Sequence, residues 1–355
     1  MKTRTLIGIC CSLFLAANVA GAALQEGLAA YKRGDFRAAL RELLPEAEMG
    51  NAEAQFHIGM MYEYGRGVEA SDATALEWYR RALRATEAGV RLAAERGEIS
   101  TQVTLAMYYW DQAQDGEAAM KWLTRAAEQG DRKSQYLLAS FYDQPDQIPW
   151  IGNSKIPQNY NEAAKWYRRA GDQGDRPSQA RLGTLYYLGG GVGRNLQEAA
   201  KWNRMAAEQG DTESQNRLGL QYQNGEGVER SSQEAARWYR RAADAGLDLA
   251  QANLGFLYFY GNGVTKDLAD AVKWWRLAAD QGHELAQYNL GLLYREGQGV
   301  PKDPVQSLKW MILAGNRNYE NARRMADYLK KELTPGQVAQ ATKLAGDWKP
   351  TKKAE

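Results

Sequence analysis

Apolar residues recur along most of the chain three and four positions apart, the spacing of a helix with one buried face. The helical stretches themselves return every 36 residues: residues 248–283, DLAQANLGFLYFYGNGVTKDLADAVKWWRLAADQGH, share their pattern with 176–211, 212–247 and 284–319. Self-similarity at such a period predicts a stack of helix pairs, each touching only its neighbours, rather than a domain around one core. Aligned on a glutamine near the start of the first helix, seven copies carry Gln55, Gln102, Gln135, Gln179, Gln215, Gln251 and Gln287. The last copies are evenly spaced. The earlier ones are lengthened by insertions at 86–96, which reads as helical, and at 144–159, a proline-rich loop with Trp150.

Within a copy, Leu182-Gly183 with Tyr186, Leu218-Gly219 with Tyr222, Leu254-Gly255 with Tyr258 and Leu290-Gly291 with Tyr294 fall on one face of the first helix. A mid-helix glycine costs about 1 kcal/mol against alanine, so it predicts another helix crossing at close range. A Gly-x-Gly-Val turn follows at 65–68, 189–192, 225–228, 261–264 and 297–300. It lacks the preceding strand that a phosphate-cradling loop needs, and it predicts glycines with positive φ at a helix exit. Ser71, Asp115, Asn159, Asn195, Ser231, Asp267 and Asp303 then open the second helix as N-caps, and Glu162, Glu198, Glu234 and Gln306 stand where a capping box would place its acid or amide. In the second helix Trp78, Trp122, Trp166, Trp202, Trp238, Trp274 and Trp310 share one register, the signature of packing between repeats rather than of a ligand stripe.

The ends depart from the repeat. Residues 1–22 begin with Lys2 and Arg4, continue through an apolar run and reach small residues at Ala20-Gly21-Ala22, which reads as a secretory signal peptide cleaved near Ala22. Cys10 and Cys11 would leave with it. The mature chain would have no cysteine and no disulfide, and would balance 43 basic against 43 acidic residues. That balance gives no electrostatic footprint for nucleic acid or an anionic membrane. Residues 23–51 read as an N-terminal capping repeat, 52–319 as the seven full repeats, and 320–355 as capping helices with a loose tail. The capping part starts its last helix at Thr334-Pro335-Gly336-Gln337.

The repeated pattern AQxNLGxLYxxGxGVxxDxxxAxKWxxxAAxQG resembles the Sel-one-like repeat family, relatives of the tetratricopeptide repeats, from about Leu24 to Trp348. The resemblance implies an all-α αα-hairpin repeat solenoid, a right-handed superhelix with first helices on the concave side. It also implies adaptor or inhibitor roles. Exported bacterial relatives include immunity proteins that neutralise antibacterial phospholipase effectors delivered by type VI secretion, and regulators of envelope proteins. Disulfide-rich relatives are linked to β-lactam hydrolysis, but this chain lacks their cysteines.

Two histidines, His57 and His283, lie far apart in variable slots and make no cluster for metal or acid–base chemistry. The informative positions vary where the scaffold does not. Five and eight residues past the aligned glutamine the first helices carry pairs such as Thr184/Tyr187, Leu220/Gln223, Phe256/Phe259 and Leu292/Arg295. Phe256, Phe259 and Tyr260 are the largest apolar excess, with Tyr187, Arg181 and Arg217 beside them and Trp150 on its loop as a second candidate. Aromatic and arginine side chains are the usual anchors of binding hot spots, although the same aromatics could complete the packing between helices. The expectation is a non-catalytic, monomeric, periplasmic protein-binding array without a cofactor or stable membrane insertion, in its sharpest form an immunity protein against a phospholipase effector. An envelope scaffold or signalling adaptor is the alternative, and a hydrolase the third.

Overall fold

The computed structural model describes residues 22–97, 99–111, 115–144 and 158–351. The expected signal peptide up to residue 21, most of the insertion at 144–159 with Trp150, and residues 352–355 lie outside the described residues. The described residues form 18 α-helices and no strand, packed as consecutive hairpins in an αα solenoid. They divide into two compact units between Gln158 and Asn159. The first unit holds α1 (Ala22–Arg33), α2 (Phe36–Glu48), α3 (Ala52–Tyr64), α4 (Asp72–Glu95), α5 (Ile99–Asp111), α6 (Gly116–Glu128) and α7 (Arg132–Asp143). The insertion at 86–96 continues α4 almost to its end.

The second unit holds α8 (Tyr160–Asp172), α9 (Arg176–Leu188), α10 (Leu196–Glu208), α11 (Thr212–Asn224), α12 (Ser232–Asp244), α13 (Asp248–Tyr260) and α14 (Leu268–Asp280). It continues with α15 (Glu284–Glu296), α16 (Pro304–Asn316), α17 (Glu320–Glu332) and α18 (Pro335–Asp347). From α9 onward each odd helix is the first of a pair and lies antiparallel to the even helix that follows.

Local chemistry sets the boundaries. All seven expected N-caps accept a backbone N–H with their side-chain oxygens, Asn195 from Glu198 at 3.0 Å and Ser231 from Glu234 at 3.2 Å among them. The reciprocal half of the capping box forms at Thr334–Gln337 and not at the four second helices where the sequence suggested it. There the acids turn to other partners: Glu198 accepts from Trp202 Nε1 at 3.1 Å, Glu162 pairs with Lys165 and Glu234 with Arg237. A cation or an indole N–H outcompetes the cap's own amide for an exposed carboxylate.

Each first helix in Gly-x-Gly-Val repeats ends on a left-handed glycine, as at Gly225 (φ 75°) and Gly261 (φ 75°). The second glycine of the turn has a further reason: a Cβ on Gly227 or Gly263 would strike the backbone carbonyl of Leu196 or Ser232 in the preceding repeat. The mid-helix glycine does what its cost implied. A Cβ on Gly255 would lie 2.5 Å from the Trp275 ring, and one on Gly219 2.7 Å from Tyr239, so the pair closes over a side chain of its own second helix.

Two ladders join successive repeats. Each aligned glutamine donates to a carbonyl eight residues back, at the end of the previous second helix, over 2.8–3.2 Å, as Gln251 does to Ala243 and Gln287 to Ala279. After the last repeat Arg323 takes over this role on Gly315 at 2.8 Å. A glutamine at the end of the repeat's own second helix then donates to the first one, Gln209 to Gln179 at 2.7 Å and Gln281 to Gln251 at 2.9 Å. The equivalent position after α12 is Ala245, and the buried Gln215 Oε1 has no hydrogen-bond partner. Ala245→Gln is expected to complete the ladder and raise stability by about 1 kcal/mol, measured by urea unfolding. An unchanged midpoint would show that water serves that oxygen equally well.

The second ladder runs on the other side, where Arg168, Arg204, Arg240 and Arg276 each donate to the tyrosine hydroxyl of the next first helix, Tyr186, Tyr222, Tyr258 and Tyr294. Between these ladders the tryptophan stripe is buried from Trp122 to Trp310, with Trp78 partly buried: Trp274 packs on Ala235, Tyr239 and Ala242 of the preceding repeat and on Leu254 and Leu257 of its own. The tail differs from expectation. Trp348 packs against the core containing Trp310, and the Thr351 amide donates to the Asp280 carbonyl at 2.8 Å, so the chain is tied back onto the end of α14 instead of hanging loose.

Candidate interaction surface

The first helices of the second unit present the positions that vary between repeats. Counted from the aligned glutamine, the second and fifth positions form a row that crosses α9, α11, α13 and α15: Arg181 and Thr184, Arg217 and Leu220, Asn253 and Phe256, Asn289 and Leu292. Hydrogen bonds join neighbouring helices along it. Arg217 donates to the Thr184 hydroxyl at 2.8 Å, and Asn253 Nδ2 donates at 3.0 Å to Oδ1 of the buried Asn216, the residue before Arg217. The row extends to α17, where the Arg295 guanidinium lies 5.3 Å from the Tyr328 ring centre.

Phe256, Phe259 and Tyr260 come together as one aromatic group, but not as three equivalent anchors. Phe256 meets the Trp275 ring edge-on at 5.4 Å, and Phe259 lies tilted against it at 5.4 Å; both are half-buried and belong to the packing around α14. Tyr260 stacks on Phe256 at 5.9 Å and keeps 60% of its surface exposed. The group is therefore a rigid platform of two phenylalanines carrying one presented tyrosine. Tyr187 is half-buried and donates its hydroxyl to Glu226 Oε2 at 2.9 Å across the repeat boundary. That bond, more than burial, holds the phenol protonated above the usual tyrosine range. Arg181 is half-buried at the α9 end of the row. Trp150 lies outside the described residues.

Exposure adds two residues that the sequence alone did not single out, Leu188 (69% exposed) and Tyr328 (47%), and leaves Leu220 of the variable pairs 38% exposed. Leu188 occupies the same slot as Tyr260, and Tyr328 the same slot as Phe256 in the helix after the last full repeat. That shared numbering was the available signal.

Neither histidine takes part in this surface. His283 is the N-cap of α15, its Nδ1 accepting from the Ala286 amide at 3.3 Å, and burial lowers its pKa. His57 meets Tyr31 edge-on at 5.0 Å in the first unit, and burial lowers its pKa as well. Among the described residues no group of three His, Cys, Asp or Glu side chains is placed to hold a metal ion, and no helix is long and apolar enough to cross a membrane.

The Sel1 repeat signature matches residues 52–86, 91–131, 132–175, 176–211, 212–247, 248–283 and 285–319. The chain belongs to the Sel1 repeat family. A crystal structure of a Sel1 repeat protein from Oxalobacter formigenes is 26% identical over 92% of this chain and 91% of its own, with a TM-score of 0.55. A protective antigen of uropathogenic Escherichia coli strains that displays an SLR fold is 25% identical over 97% of this chain and 91% of its own, with a TM-score of 0.34. An immunity protein from Pseudomonas aeruginosa is 20% identical over 61% of this chain and 79% of its own, with a TM-score of 0.34. No curated protein matches the chain. Sel1 repeats form a protein-interaction fold, typically a non-catalytic scaffold. In this Sel1 chain the scaffold is the shared glutamine, glycine and tryptophan slots, and the row from Arg181 to Tyr328 is what distinguishes one repeat from the next.

Proposed function

We propose that the protein binds another protein through the first-helix face of its second unit and catalyses no reaction. The observation that carries this reading is Tyr260, a large aromatic side chain presented on a packed Phe256–Phe259–Trp275 base with Arg217 and Leu220 in the neighbouring repeat. A rigid aromatic held out of the core loses little conformational entropy on binding, and aromatic and arginine anchors dominate interface energetics. In its specific form the reading is an exported, periplasmic immunity protein that captures an antibacterial phospholipase effector. The lysine- and arginine-headed apolar stretch at residues 1–22 supports export, and the role comes from the family resemblance. An envelope scaffold or adaptor would use the same face.

Tyr260→Ala is expected to weaken capture of the partner from periplasmic extract by about tenfold, on the order of 1.4 kcal/mol, with the unfolding temperature of the full chain unchanged. Undiminished capture would take the partner away from this face. Deleting the gene should expose the cell to a neighbouring effector if the immunity form holds; healthy growth beside that effector, with capture of several envelope proteins, would favour the scaffold.

A further inference from the structure

The residue between the two left-handed glycines of the Gly-x-Gly-Val turn differs in every repeat that has one: Arg66, Gly190, Glu226, Asn262 and Gln298. In two of them its side chain reaches back to a tyrosine four residues after the mid-helix glycine of the preceding first helix. Glu226 accepts from the Tyr187 hydroxyl at 2.9 Å and from Asn224 Nδ2 at 3.3 Å, so its carboxylate is occupied. In the first unit the charge is reversed, and Arg66 Nη1 donates to the Tyr31 hydroxyl at 2.9 Å. The guanidinium also lies 5.9, 5.4 and 5.0 Å from the ring centres of Tyr31, Phe36 and Tyr64.

Arg66 is held in place from both sides. Gly65 and Gly67 keep φ of 63° and 73°, and a Cβ on Gly67 would lie 2.9 Å from the Phe36 backbone, so the turn is seated on the start of α2. Contact with the rings uses none of the donors along the guanidinium edge. Arg66 Nε and Nη2 make no hydrogen bond and the exposed side chain forms no ion pair among the described residues. The nearest acids in the chain are engaged or apart from it: Glu63 accepts from Tyr79, Asp35 from the Ala38 amide, and exposed Glu69 does not pair with it. Lys32, Arg33 and Arg37, exposed next to Tyr31 and Phe36 in the chain, are in no ion pair among the described residues either. A guanidinium fixed by rings, with a free two-donor edge and further cations around it, fits a planar carboxylate lying in its own plane. A tetrahedral phosphate would turn an oxygen toward the negative faces of the rings.

We propose that Arg66 is a docking point for an acidic segment of a partner protein, with one aspartate or glutamate carboxylate seated on its Nε and Nη2 donors and the Tyr64 ring, 54% exposed, covering the residue beside that acid. The site belongs to the first unit and does not rest on the reading given to Tyr260 in the second.

Fluorescence anisotropy on the full chain at low salt tests it with three short synthetic peptides that differ at one position. Each is built of Ser and Gly around a Leu, and the residue before the Leu is Glu, Gln or phosphoserine. The glutamate peptide should bind about tenfold tighter than the glutamine peptide, the span of one charge-assisted bidentate pair. Arg66→Gln should bring that preference to about twofold or less, and Arg66→Lys, which keeps a cation on the rings but loses the fork, to about threefold. Tyr64→Ala should weaken the Glu and Gln peptides alike, and Tyr260→Ala should change neither. Equal affinity for the Glu and Gln peptides, or a preference that survives Arg66→Gln, overturns the assignment to Arg66. A preference fully kept by Arg66→Lys overturns the two-donor seat even if Arg66→Gln unfolds the chain. Tighter binding of the phosphoserine peptide overturns the carboxylate, and loss of binding in Tyr260→Ala overturns the first-unit location. Binding by none of the three overturns the proposal as a whole, while the reading given to Tyr260 is judged separately by partner capture.

Discussion

Trp310→Ala is expected to destabilise the protein by about 3–5 kcal/mol, the largest loss from any single truncation considered. Trp310 is 1% exposed and fills the junction between the last two full repeats, against Trp275, Ala278 and Ala279 on one side and Leu290 and Leu293 on the other. Trp348 of the C-terminal segment packs on the same cluster. Removing the indole therefore opens a cavity that two repeats and the cap all border, and a neighbour-coupled array transmits such a loss to everything beyond it. Urea unfolding followed by circular dichroism should show a lower midpoint, and Trp310→Phe should restore part of it because the ring volume rather than the N–H matters. The indole nitrogen has no hydrogen-bond partner in the structure, so phenylalanine forfeits no bond. A loss below about 1 kcal/mol would mean that the junction collapses around the gap.

Much of this architecture was legible because it is written locally. The caps, the left-handed glycines and the tryptophan register each depend on residues within a turn or two of one another, and they recur, so one copy checks the next. What escaped the sequence is coupling between the two helices of a repeat. Where the first helix carries the mid-helix glycine, the residue after the tryptophan lies over it, and in three repeats it reaches the eighth position of the first helix: Tyr79 donates to Glu63 at 2.6 Å, Tyr239 donates to Gln223 at 2.9 Å, and Trp275 meets Phe259. A tyrosine there is matched by a polar acceptor and a tryptophan by another ring. Phe259 is thus explained as much by Trp275 as by any partner, which moves the weight of the binding surface to Tyr260. The strap from Thr351 to Asp280 escaped for a similar reason, since nothing near residue 351 in the chain announces where it docks.

The same slots hold the second prediction. In the repeat of residues 176–211 the residue after the tryptophan is Asn203, and the facing position of the next first helix is Gln221; both are 1% exposed. Elsewhere in the second unit these slots hold Tyr167, Tyr239, Trp275 or Met311, and Leu185, Leu257 or Leu293. Asn203 Nδ2 donates to Gln221 Oε1 at 3.0 Å, leaving Asn203 Oδ1 and Gln221 Nε2 without partners. Turning both amides over would still make one bond and strand one oxygen and one nitrogen. Each stranded group costs about 1–3 kcal/mol against a bond that returns only about 0.5–1.5. Asn203→Leu or Gln221→Leu alone should therefore fall within about 1 kcal/mol of the native protein, because the apolar gain is offset by a partner left with no bond. The double substitution should gain about 2 kcal/mol or more, since leucine already occupies both slots in other repeats, as Leu123 and Leu185. A double-mutant cycle in urea measures the coupling, and two singles that simply add would show that the amides act independently. Hydrogen exchange gives the structural counterpart: amides of α10 and α11 should open more readily than those of α13 and α14 in the native chain, and the difference should close in the double variant. A polar pair that survives at this cost in the middle of the second unit makes the junction below Arg217 the easiest to loosen, where the first-helix face must adjust to whatever it holds.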